Sequence, residues 1–178
     1  MKNNITENEI IKEKEELESG LQEIISKAIA SKKANIIYIV ADLIADLGEE
    51  AESLVDALIE TGNAKYMCIY ASQIKGAPVM KLAKEVVETK NYRYFTEFAL
   101  SVKGAPIGYL ADAMCMYGTA QEIYEFALNV KKAPKDKLAR AMIRVGNESD
   151  IEAYAYDVMH MSTEDFVEKF GQTYEREI

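Results

Sequence analysis

The chain has no tryptophan, one histidine, two cysteines and three prolines among its 178 residues. One histidine and two scattered cysteines supply neither a zinc set nor a disulfide framework. Cys68 and Cys115 are therefore expected to be reduced, in a cytoplasmic compartment. With three prolines and nine glycines, long irregular loops are not expected. The longest apolar run, Ile36 to Ala41, is far short of the roughly 20 residues a membrane helix needs, so no membrane partner is expected. Met1-Lys2-Asn3-Asn4-Ile5 leads into a charged stretch and not an apolar one, so no secretory leader is expected. The net charge of −9 argues against a general nucleic-acid or anionic-membrane binder.

What the chain does have is a period. Apolar residues make up 49% and charged residues 29%, enough to build a core. All three prolines lie in one motif: Lys75-Gly76-Ala77-Pro78, Lys103-Gly104-Ala105-Pro106 and Lys131-Lys132-Ala133-Pro134, 28 residues apart. A residue that fixes φ and lacks an N–H, used only at one spacing, marks a repeated joint. The frame gives units 7–34, 35–62, 63–90, 91–118, 119–146 and 147–174 within a single domain, 1–178. Asn35, Asn63, Asn91, Thr119 and Asn147 open them as N-caps, the last two with capping-box acids Glu122 and Asp150. Gly62, Lys90, Gly118 and Gly146 precede them, where a left-handed residue closes the previous helix. A second glycine column, Gly20, Gly48, Gly76 and Gly104, marks mid-unit. Each unit reads as helix A, a corner, helix B and a turn. Lys75, Lys103 and Lys131 fall in the last turn of helix A, and proline opens helix B at its first turn.

The apolar columns fit that plan. Helix A carries Ile11, Ile39, Met67, Phe95, Ile123 and Ile151, then Tyr70, Phe98, Phe126 and Tyr154, then Ala71, Ala99, Ala127 and Ala155, then Ile74, Val102, Val130 and Val158. That is the i, i+3, i+4, i+7 stripe of an amphipathic helix. Helix B carries Leu54, Leu82, Leu110, Leu138 and Phe166, then Val55, Ala83, Ala111, Ala139 and Val167, then Leu58, Val86, Met114, Met142 and Phe170. Unit 7–34 puts Lys14, Glu15 and Glu18 at core positions and reads as a polar cap. In the last unit Ser162 with Asp165 replaces the proline corner, and residues 175–178 read as frayed. The expected fold is all-α, six tandem hairpins.

These motifs resemble the HEAT-like and armadillo-like class of α-solenoids. They are more closely similar to short "KGAP"-type hairpin repeats in uncharacterised proteins of low-GC bacteria and their phages. The tetratricopeptide pattern is absent, as the lack of tryptophan requires. The resemblance implies a right-handed superhelical scaffold that binds on its inner surface; it does not imply what it binds.

Chemistry-bearing side chains are sparse. His160 takes the corner position between Met159 and Met161, with Asp157, Glu164 and Asp165 nearby, and reads as a solvated or helix-capping residue. Cys68 and Cys115 read as small core residues. Gly104-Ala105-Pro106-Ile107-Gly108 lacks the Gly-Lys-Ser/Thr of a phosphate loop. Glu49, Glu50 and Glu52 complement a helix start. No catalytic residue, metal site or cofactor is expected, and the protein reads as non-enzymatic.

Recognition is sought where the repeat fails to repeat. Opposite the leucine stripe of helix B stand Ser53, Asp56 and Glu60; Lys81, Lys84 and Glu88; Tyr109, Asp112 and Met116; Lys137, Arg140 and Arg144. Unit 35–62 has seven acids and no base, units 63–90 and 119–146 are net positive, and unit 147–174 has seven acids and one base. A mixed-sign surface suits a protein or peptide partner, with Lys81, Lys84, Tyr109, Asp112, Met116, Lys137, Arg140 and Arg144 as the binding residues. Two other readings stand beside it. The basic central units would bind nucleic acid, or Asp42, Asp46, Glu49, Glu50, Glu52, Asp56 and Glu60 would mimic phosphates toward a DNA-binding target, as in phage counter-defence. Alternatively, Phe166, Phe170 and Tyr174 would form an exposed stacking edge for a homo-oligomer through the C-terminal unit.

Overall fold

A computed structural model describes residues 7–46 and 52–171, and their side chains from residue 12 on except those of 13 and 46. Gly48, Glu49, Glu50, Tyr174 and residues 175–178 lie outside the described residues, as do the side chains of Ile11 and Asp46. Among the described residues every regular element is a helix. In order they are α1 Glu7–Ser31, α2 Ala34–Asp46, α3 Glu52–Glu60, α4 Ala64–Gln73, α5 Val79–Glu88, α6 Arg93–Ser101, α7 Ile107–Tyr117, α8 Ala120–Asn129, α9 Lys135–Val145 and α10 Glu148–Ala153. The last runs on into a π-helix, Tyr154–Met159, before α11, Thr163–Gly171. The chain is all-α. Each helix touches its sequence neighbour, and α2, α4, α6, α8 and the π-helix also touch in succession, as do α5, α7, α9 and α11.

From α3 on, most of the columns read from the period lie in the core, with Ile74, Ala99 and Ile151 half-buried. Met67, Phe95 and Ile123, the aromatic column Tyr70, Phe98, Phe126 and Tyr154, and Val102, Val130 and Val158 are all buried. So are Leu54, Leu82, Leu110, Leu138 and Phe166 of the B helices. Burying such side chains is worth about 1.5–3 kcal/mol each, which offsets the marginal stability of helices of nine to eleven residues. Val167 breaks the column, 45% exposed.

The joints correct the sequence reading in several places. Each proline is the N-cap of its B helix, one position before the place expected. Pro78, Pro106 and Pro134 sit at φ −75°, −78° and −75° with ψ 74°, 74° and 78°. The next N–H bonds back to the preceding alanine carbonyl at 2.8, 2.9 and 2.9 Å, the inverse γ-turn that a fixed proline φ suits. Lys75, Lys103 and Lys131 lie in these corners, beyond the ends of their helices. Gly76 and Gly104 do take left-handed φ, +82° and +81°. Lys32, Gly62 and Lys90 are left-handed too, each after a hydroxyl residue, Ser31, Thr61 or Thr89, that bonds the carbonyl three residues back. Gly118 and Gly146 are not left-handed: both are extended, at ψ 150°. A Cβ at Gly118 would sit 2.6 Å from the Met114 carbonyl oxygen and its sulfur, and one at Gly146 2.8 Å from the Met142 sulfur. Close approach selects glycine there.

Asn63, Thr119 and Asn147 cap as expected, the last two with full capping boxes. Asn91 does not cap, since Tyr92 holds that position. Asn35 lies inside α2. That helix is shifted two residues against the 28-residue frame: it buries Ala34, Ile37, Ala41 and Ile44 and leaves Ile39 60% exposed. The shift is forced, because the frame would put Asp42 and Asp46 in apolar columns.

The first unit is not a hairpin. α1 runs unbroken through Gly20, which has no alanine-proline corner behind it. The ion pairs Lys12–Glu16, Lys14–Glu18 and Glu23–Lys27 support it on both sides. Five hairpins follow it, one fewer than the period predicts. The last helix A widens into the π-helix, closed by left-handed His160 at φ +55°. Ser162 then starts α11, its Oγ accepting from the Asp165 N–H at 3.1 Å.

Two glycine substitutions separate these causes. Gly118→Ala will lower the unfolding free energy in urea by about 1–3 kcal/mol, the usual range for overpacking. Gly108→Ala, in α7 with nothing within 4 Å of its Cβ position, will raise it by about 0.5–1 kcal/mol.

Candidate functional site

The leucine stripe of α3, α5, α7 and α9 is fully buried, so the opposite positions face solvent. Asp56, Lys81, Lys84, Asp112, Met116, Lys137, Arg140 and Arg144 are all exposed, Met116 by 68%. Tyr109 is half-buried and packs on the core.

Neighbouring B helices are tied across this face. Lys81 Nζ donates to Asp56 Oδ1 at 2.5 Å, joining α5 to α3. Lys137 Nζ donates to Asp112 Oδ1, joining α9 to α7. Arg144 Nη2 adds a bond to the Cys115 carbonyl, and the Arg140 guanidinium lies 6.0 Å from the Phe170 ring centre, toward α11. Both ion pairs span 25 residues. The same step from Lys84 falls on Tyr109, so the face reads as a ladder with a cation and an aromatic at the positions between its two ion pairs. Asp112 is thus matched by Lys137. The hydrogen bond to Asp56 holds the Lys81 ammonium above its usual range, and Asp112 does the same for Lys137.

The other candidates settle into structural roles. His160 Nδ1 lies 3.2 Å from the Tyr156 carbonyl oxygen at the end of the π-helix. Cys68 Sγ is 3.7 Å from the Tyr94 carbonyl oxygen, and burial pushes its thiol up to about 12. Cys115 is half-buried; burial raises its thiol too, while Lys137 and Arg144 pull the other way. Among the described residues no three His, Cys, Asp or Glu side chains converge as a metal set would, and no helix is long and apolar enough to cross a membrane. Phe166 and Phe170 are buried against α9 and the π-helix. They form no exposed stacking edge, because α11 turns its aromatic stripe inward. Of the acids read as phosphate mimics, Asp56 is engaged by Lys81.

One feature escaped the sequence reading. Between α6 and α8, on the helix-A side, Tyr92, Arg93, Thr96, Leu100, Gln121 and Glu125 line a groove of about 520 Å³. Its only signal was Leu100, which falls outside the i, i+3, i+4, i+7 stripe and is 57% exposed.

No family model, curated protein or solved structure matches the chain.

Two measurements check this geometry. A group whose folded pKa is raised stabilises the fold below its unfolded value and stops doing so as pH climbs through the folded one. The difference in urea stability between wild type and Asp56→Asn/Asp112→Asn will therefore shrink from about pH 8 to about pH 11, across the lysine range; a constant difference would refute the pairing. In timed alkylation read by mass spectrometry, Cys115 will label well before Cys68 in the native protein, since the thiolate is the nucleophile. Equal rates in the native protein would contradict the burial of Cys68.

Proposed function

We propose that the chain is a non-enzymatic scaffold, adaptor or inhibitor that grips a protein or peptide along its helix-B face. In this reading the hairpins form an α-solenoid, a single domain coiled as a right-handed superhelix and working in the reducing cytoplasm. The observation that carries it is the ladder on α3, α5, α7 and α9. Core columns repeat from helix to helix, but the exposed column changes sign and chemistry at every step. Neutralised rungs (Asp56–Lys81 and Asp112–Lys137) alternate with Lys84, Met116 and Arg140. Such a surface selects by pattern, with aromatic and long apolar side chains as anchors and charge setting register. It favours a protein over a nucleic acid, because two of its cations already face carboxylates, whereas a phosphate track needs them available.

Capture from lysate with two baits tests the proposal: wild type and Lys84→Glu/Tyr109→Ala/Met116→Glu/Arg140→Glu. Proteins held by wild type will be depleted at least tenfold on the variant, the scale of one lost hot spot. A third bait, Leu100→Asn on the opposite side, will retain them. Identical partner sets from the first two baits would overturn the assignment of the face.

A further inference from the structure

The first helix is built for more than the fold uses. α1 has 25 residues, nearly twice the 13 of α2. Its C-terminal part meets the body through buried Ile25 and Ala28, with Leu21 and Ile29 packed on the core. Residues 12 and 14–20 are all exposed. Yet the exposed side carries an apolar stripe: Leu17, Gly20 and Ile24 stand at i, i+3 and i+7. Leu17 is 75% exposed and Ile24 46%. Ile10, Leu17 and Ile24 are spaced by sevens in the sequence, the period of helix pairing.

Two further observations say what covers the stripe. The first is charge. Residues 7–18 hold six glutamates and two lysines, whereas residues 26–33 hold Lys27, Lys32 and Lys33 with no acid. Laid parallel, two such helices would set like charge on like. Laid antiparallel, each acidic half meets a basic half. The second is Gly20. A glycine in a helix interior is unfavourable, its Cβ position has nothing within 4 Å, and its φ is not left-handed. No demand of the monomer explains it, but at a crossing between helices it lets two backbones approach closely.

We infer that α1 is a self-association surface whose occupant is the α1 of a second copy of this chain, packed antiparallel across Leu17 and Ile24 with Gly20 near the crossing. The ladder face of the B helices stays outside this contact, so one dimer presents two ladders.

Light scattering on the full chain tests it at about 100 µM, where a Kd of order 10 µM still leaves mostly dimer. Wild type will weigh twice the 20.0 kDa of the chain. Leu17→Glu/Ile24→Glu will weigh 20.0 kDa with an unchanged circular dichroism spectrum from the hairpins. Orientation is tested by two charge-reversed variants, Glu15→Lys/Glu16→Lys/Glu18→Lys and Lys27→Glu/Lys33→Glu. Each alone will be monomeric, because antiparallel packing then sets like charge on like at both ends, whereas a parallel pair sets like on like both before and after the reversal. An equimolar mixture, in which opposite charges meet at both ends, will recover the doubled mass. A monomeric wild type, a dimer that survives Leu17→Glu/Ile24→Glu, a charge-reversed variant that stays dimeric alone, or a mixture that stays monomeric overturns the inference.

Discussion

A helix of nine or ten residues does not hold together alone in water, because nucleation costs more than so few propagated bonds return. Most helices here are that short, and each depends on burying one apolar stripe against the helices before and after it. The aromatic column Tyr70, Phe98, Phe126 and Tyr154 is where that dependence is most visible. Each ring needs a small residue, such as Ala71 or Ala127, beside it to let the next helix close. Everything else in the molecule is arranged around keeping those contacts in step.

That constraint explains what could be read in the sequence. Columns that must pack repeat at fixed spacing, so the B-helix leucines and the aromatic series were legible at once. Prolines were legible as joints because they occur nowhere else. The misreadings came where the frame was extended past its evidence. Gly20 was aligned with Gly76, but a glycine without the alanine-proline that follows does not break a helix held by flanking i, i+4 pairs. Asn35 aligns with Asn63 in the frame, but Ile37 stands 17 residues before Leu54 where Met67 stands 15 before Leu82, so the buried set of α2 is Ile37, Ala41 and Ile44. Of the eight candidate site residues, seven are exposed on their helices, since burial of the leucines fixes what lies opposite, whereas Tyr109 is half-buried against the core. Their cross-helix bonds were not legible, because a spacing of 25 arises from the tilt and rise between helices and not from any single helix.

The ion pairs and the core do different work. Exposed pairs of this kind add little stability, since water screens them and the lysine chain must be ordered. Their effect is to cancel charge locally. A face that would read as alternately acidic and basic from composition becomes neutral at two rungs and distinctive between them. The scaffold reading and the self-association of α1 rest on separate surfaces, and each stands without the other.

The two kinds of joint between hairpins carry a consequence for how the chain finds its structure. Repeat proteins are prone to trapping, because neighbouring units resemble one another closely enough to dock out of order. Here the early turns close with a left-handed residue after Ser31, Thr61 or Thr89, whereas the later ones close extended, with glycine seated on Met114 or Met142. A hairpin from the first half therefore leaves its turn through a different backbone conformation from one in the second half. The turns thus mark position along the chain in a way that the repeated core columns do not.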